Sequence, residues 1–133
     1  MKKVEYNKYG PPEVLEIKNA DKPVPGDNDI LIKIHATTVT ATECTFRRGE
    51  PIVARLFTGL IRPKINTLGE ELAGEVESVG KSVKSYQAGD QVFGTAGPEF
   101  GANAEYICLP DDAVLMPKPS RFSDSKCQLS SIL

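Results

Sequence analysis

The chain has no tryptophan, one histidine (His35) and three cysteines (Cys44, Cys108 and Cys127) in 133 residues. Zinc sites need several Cys or His at ligand spacing, and no C-x-x-C pair or His cluster is present, so a metal centre is not expected. An odd, unpaired set of cysteines argues against a disulfide framework and points to a reducing, cytoplasmic setting. Positive charge is not in excess: 16 Lys and Arg stand against 18 Asp and Glu, a net charge of -2. That balance excludes a general polyanion binder, so no nucleic-acid partner is expected. No apolar run approaches the roughly 20 residues that cross a bilayer, and the start lacks the apolar stretch of a signal peptide, so no membrane role is expected. A G-x-G-x-x-G between a strand and a helix is also missing, which removes the usual dinucleotide-binding signature.

The remainder has ordinary globular composition, with 40% hydrophobic and 26% charged residues, and a length that suits one domain. Lys3–Tyr6 and Val14–Lys18 flank a turn-dense Asn7–Pro12 and read as paired strands. Residues 19–29 form a loop. Ile30–Thr38 alternates, with Ile30, Ile32, Ile34 and Ala36 on one face and Leu31, Lys33 and His35 on the other. At Thr40 the period changes. Thr40-Ala41-Thr42-Glu43 has the form of a capping box, in which the Glu43 carboxylate reaches back to the N-cap amide. Gly49 and Pro51 then stop a short helix over 41–48. Ile52, Leu56 and Leu60 lie at helical spacing, with Pro63 closing that stretch. Gly69–Val79 reads as a strand, with Gly74 as a bulge or a close backbone approach. Gln91–Phe93, Ala102–Leu109 and Val114–Met116 follow as short strands between turns. Many short strands with turn signals between them predict a mainly β fold, a partly open β-barrel with one or two short helices.

Two stretches carry a resemblance. One is Leu68-Gly69-Glu70-Glu71-Leu72-Ala73-Gly74-Glu75-Val76-Glu77-Ser78-Val79-Gly80, followed by Tyr86-Gln87-Ala88-Gly89-Asp90-Gln91-Val92-Phe93-Gly94. The other is Ala36–Glu43 with Arg47-Arg48-Gly49 behind it, and the opening Tyr9-Gly10-Pro11-Pro12-Glu13-Val14-Leu15 agrees. Over roughly residues 1–119 the chain resembles the catalytic, GroES-like domain of the medium-chain dehydrogenases/reductases, and within them the zinc-free group that includes quinone oxidoreductases. In zinc-dependent relatives a cysteine stands at the position of Thr40 and a histidine at that of Glu70. Both are replaced here, and the four-cysteine lobe for structural zinc is absent.

The resemblance implies a zinc-independent oxidoreductase that passes hydride between NAD(P)H and a quinone, enone or carbonyl, or oxidises an alcohol. The NAD(P)H is expected only in a full-length enzyme, because the Rossmann domain that binds it must come in cis or in trans. Residues 1–119 are then the GroES-like domain, and 120–133 the start of a connection to the missing domain. An isolated domain, a truncated or split gene and a stand-alone module all fit that ending. The partners implied are a small-molecule substrate, the Rossmann domain and a possible homodimer mate. No residue is singled out as catalytic.

The cleft candidates are Thr40, Glu43, Phe46 and Glu70. Thr40 and Glu43 also read as helix capping, and Phe46 as core packing or as a pocket wall. Glu70 and Glu71 are neighbours in a strand, so at most one is expected to face a cleft, while Glu71 by the same resemblance supports the site from behind, paired with an arginine. His35 reads as a strand residue, and Cys44 and Cys108 as small buried fillers. The alternative to an enzyme domain is a non-catalytic GroES-like binding or assembly module, since fold does not fix function.

Overall fold

The computed structural model describes residues 1–119 and Arg121. The proposed connection over 120–133, apart from Arg121, and with it Cys127, lies outside the described residues. Strands β1 (Lys2–Glu5) and β2 (Glu16–Asn19) pair antiparallel as an arm, joined through a 3-10 turn at Pro12–Val14. The main sheet holds β3 (Asp29–Thr37), β4 (Glu71–Val79), β5 (Gln91–Thr95), β6 (Tyr106–Pro110) and β7 (Leu115–Pro117). Its order is β6-β3-β4-β5-β7 and every pairing is antiparallel. The two edge strands do not pair with each other, so the fold is mainly β and only partly closed, as the strand spacing implied. Pro117 sits at the edge, where a missing N–H costs least. Helices α1 (Ala41–Arg48) and α2 (Arg55–Thr58) are short, and 3-10 turns lie at Ile52–Ala54 and Gly97–Glu99.

The core gathers the inward residues of the main sheet and Ala102 from the loop before β6. Ile30, Ile32, Leu72, Val76, Val92, Ala102, Ile107 and Leu109 pack there, each less than a tenth exposed. Alternation holds in the second half of β3, where Lys33 and His35 are exposed and Ile34 is half-buried. In the first half it fails, because Leu31 is buried as well.

Two irregularities bend the β3–β4 pair. Glu77 and His35 each fall between matched residues and are left without a register partner, which is the bulge geometry that increases twist. Gly74 is the close approach that the sequence suggested: a Cβ there would lie 2.2 Å from the Lys33 carbonyl oxygen. Only a residue without a side chain lets the strands approach at that point.

The arm is fastened to the sheet by the chain around residue 103. Val4 N–H donates to the Asn103 carbonyl at 2.9 Å, and Glu105 N–H to the Lys2 carbonyl at 3.0 Å. Beneath them Tyr6 is 1% exposed. Burial is the main reason its phenol is pushed up to about 12, with Tyr9 adding to it.

Candidate functional site

Helix α1 forms where the local signals placed it. Thr40 is the N-cap in extended conformation, and its Oγ1 accepts a hydrogen bond from Glu43 N–H at 3.3 Å. Gly49 closes the helix in the left-handed region (φ 67°, ψ 34°), donating to the Thr45 and Phe46 carbonyls.

The other half of the capping box is not made. The Glu43 side chain turns into the protein, where the residue is 2% exposed. Its Oε1 accepts from Glu70 N–H at 3.1 Å, and its Oε2 from the Asn103 side-chain amide at 3.3 Å. These tertiary donors displace the local one because a donor shut away from water without an acceptor is costly. Burial raises the pKa of this carboxyl. The hydrogen bonds from Glu70 and Asn103 oppose the rise, and the Glu70 and Glu71 carboxylates add to it. Glu43 is therefore a strut within the wall, joining α1 to the start of β4 and to the loop before β6.

Gly69 makes the strut possible. It has φ 105°, and a Cβ on it would fall 2.3 Å from the Asn103 backbone nitrogen. The chain at 68–69 can therefore cross the chain at 102–103, with Asn103 N–H donating to the Leu68 carbonyl at 2.9 Å and Ala102 N–H to the Gly69 carbonyl at 3.0 Å. That crossing carries Asn103 to Glu43.

Glu70 precedes β4, so strand alternation does not separate it from Glu71. Both contribute to one open-sided depression of about 300 Å³ between β4, β5 and β7, together with Phe93, Gly94, Thr95, Val114 and Met116. The Glu70 carbonyl accepts from Ala96 N–H at 2.7 Å and from Thr95 Oγ1 at 3.1 Å. Glu71 Oε2 accepts from Thr38 Oγ1 at 2.9 Å, a hydroxyl partner that the resemblance did not name.

Three of the four candidates thus form one chain of contacts, from Thr40 through Glu43 to Glu70. Of the four, only Glu70 lines the depression; Thr40, Glu43 and Phe46 stand outside it. Phe46 is half-buried, with its ring edge-on to Phe100 at a centroid distance of 5.3 Å, so it packs against the loop after β5. His35 is exposed on β3. Cys44 and Cys108 carry free thiols and are half-buried, not fully buried. Among the described residues no cluster of three or more His, Cys, Asp or Glu is placed to hold a metal ion.

Sequence reasoning missed Asn103, a polar residue between alanines whose role depends on the chain crossing. It also missed Arg47, which looks like a surface partner of Arg48 but is 6% exposed and donates to the Gly10 carbonyl at 2.5 Å.

The alcohol dehydrogenase GroES-like domain matches residues 26–120. The chain belongs to that family. Quinone oxidoreductase of Sus scrofa is 38% identical over 111 residues, an overlap that takes in 82% of this chain and 31% of that protein. The structure of the quinone oxidoreductase from Coxiella burnetii superposes with a TM-score of 0.82 at 32% identity, over 96% of this chain and 40% of that one. The Escherichia coli quinone oxidoreductase complexed with NADPH gives 0.82 at 26% identity, over 98% and 37%. These similarities place this GroES-like domain on the quinone-oxidoreductase side of the medium-chain dehydrogenases/reductases. The chain spans about a third of the length of the curated relatives it matches.

Proposed function

We propose that this chain forms the substrate-side wall of a zinc-independent, NAD(P)H-dependent oxidoreductase acting on a quinone, enone or carbonyl, or on an alcohol in reverse. It turns over only when a nucleotide-binding domain completes the site in cis or in trans. The observation that carries this reading is the open-sided depression at Glu70, braced through Glu43 to the Thr40 cap, in a domain of this family.

The walls of that depression suit one end of a nicotinamide cofactor. Phe93, Val114 and Met116 offer apolar surface for a flat ring, and Thr95 offers a polar edge. None of the lining residues is basic, so the phosphates of a dinucleotide need another surface, as a nucleotide-binding domain provides. When bound, the reduced cofactor supplies hydride. The protein's own part is orientation and charge. Thr40 does not line the depression itself; its hydroxyl oxygen accepts from the helix, which leaves its O–H to donate to a substrate oxygen held between this wall and the completing domain as negative charge builds there. Glu43 and Asn103 hold the rim so that this donor does not have to reorganise.

The test is a chimera in which this chain replaces the corresponding front domain of the Escherichia coli quinone oxidoreductase, assayed by quinone-dependent loss of NADPH. Turnover is expected, and Thr40→Val is expected to lower kcat at least about tenfold with little change in KM for NADPH. A folded chimera that binds NADPH and reduces no quinone, enone or carbonyl would overturn the proposal.

A further inference from the structure

The wall at Glu70 carries charge of one sign. Glu70 and Glu71 belong to the lining of the depression, and every other lining residue is uncharged. Arg47, the buried cation of α1, is not among them and is engaged with the Gly10 carbonyl.

The two glutamates use their atoms differently. Glu70 N–H donates to Glu43 Oε1 at 3.1 Å, and the Glu70 carbonyl accepts from Ala96 N–H at 2.7 Å and from Thr95 Oγ1 at 3.1 Å. All of these links belong to the backbone. Among the described residues no cation and no donor is paired with the Glu70 carboxylate. Glu71 Oε2 accepts from the Thr38 hydroxyl at 2.9 Å, a neutral partner that leaves the charge in place. Both residues are half-buried, so solvent screens them less than it screens charges in open water. Burial is the main cause of the raised pKa of Glu43, and the Glu70 and Glu71 carboxylates add to it. Their field therefore reaches that neighbouring carboxyl.

A substrate lies within the same reach. Hydride passes between atoms about 3–3.5 Å apart, so a substrate stacked on a ring that this wall holds is within roughly one Debye length, about 8 Å, of the wall's charges. A negative substituent there meets two like charges and no cation of this wall. At about 7 Å, and with an effective dielectric constant of about 40, one such repulsion amounts to roughly an eightfold loss in kcat/KM.

We propose that Glu70, supported by Glu71, sets the charge class of the substrate: uncharged quinones, enones or carbonyls are admitted, and their carboxylated or sulfonated counterparts are selected against. The proposal rests on the oxidoreductase reading and adds a specificity to it.

The test compares 1,4-naphthoquinone with its 2-sulfonate as acceptors in the chimera with the Escherichia coli nucleotide-binding domain. The quantity read is the ratio of kcat/KM for the sulfonate to that for the neutral quinone. The two acceptors differ in intrinsic reactivity, so the change of this ratio between parent and variant carries the result. Glu70→Gln is expected to raise it about eightfold at low salt, and Glu70→Gln with Glu71→Gln to raise it further. Glu70→Asp keeps the charge and is expected to stay within about threefold of the parent. Added salt should raise the ratio of the parent and hardly move that of the double variant. A purely structural role for Glu70 would slow both acceptors alike and leave the ratio where it was. A chimera that reduces the neutral quinone, but whose ratio changes by less than about twofold in Glu70→Gln or falls with added salt, overturns this proposal and leaves the oxidoreductase reading standing. A chimera that reduces neither quinone overturns both.

Discussion

Removing the Glu43 carboxylate separates a strut from a cap. In Glu43→Ala the Glu70 N–H and the Asn103 amide both lose their acceptor; both are part-buried, and each left unpaired costs up to about 1–3 kcal/mol. Part of this returns because a buried carboxylate no longer has to be kept from water. The net loss expected is about 2–3 kcal/mol, or roughly 7–10 °C in Tm for a domain of this size. Glu43→Gln keeps an acceptor for Glu70 N–H but turns an amide toward Asn103, and is expected to cost about 1 kcal/mol.

The pH dependence follows from the raised pKa of Glu43, caused first by burial. A carboxyl whose folded pKa is raised stabilises fully below its ordinary pKa, and that contribution is lost as pH rises through the folded value. The native chain should therefore lose stability across that window relative to the Gln variant, which has nothing to ionise there. Urea unfolding followed by circular dichroism, suited to a chain without tryptophan, measures both effects between about pH 4 and pH 8. An Ala variant within about 0.5 kcal/mol of the parent, or parallel pH curves for the parent and the Gln variant, would refute the strut.

Gly74→Ala, whose Cβ would meet the Lys33 carbonyl at 2.2 Å, is expected to cost at least about 3 kcal/mol, read as loss of cooperative thermal unfolding at moderate temperature. Thr40→Ala removes the α1 cap and should lower stability by about 1 kcal/mol in the same urea assay, with Thr40→Ser restoring most of it. Tyr6 is pushed up to about 12, so an alkaline absorbance titration should show one of the four tyrosines ionising late. Stability should fall as pH rises from the ordinary tyrosine value of about 10 toward 12.

Local signals located α1 well, because its ends are set within the segment by a threonine cap and a left-handed glycine. The same holds for the strand around Gly74, where a small residue inside an apolar run announced a close approach. What local patterns misjudged was settled by distant partners. Glu43 has the spacing of a capping box, yet its carboxylate goes to donors 27 and 60 residues further along the chain. Ile52, Leu56 and Leu60 lie at helical spacing, and spacing alone does not say which side faces the protein. Tyr9, more than forty residues earlier, decides that by holding Thr58 and Gly59. Glu70 and Glu71 both belong to the lining of one depression, and β4 begins at Glu71, a boundary that alternation does not reveal. The family resemblance was legible because its glycines and apolar positions lie within two short local stretches, Leu68–Gly80 and Tyr86–Gly94.

The measurement closest to the central claim is made on the unaltered 133 residues: titration with NADPH by calorimetry, then a turnover assay with NADPH and a quinone together. If the chain is one wall of a shared site, it neither retains the nucleotide tightly nor consumes it. Saturable binding accompanied by steady quinone reduction from this chain alone would contradict the account.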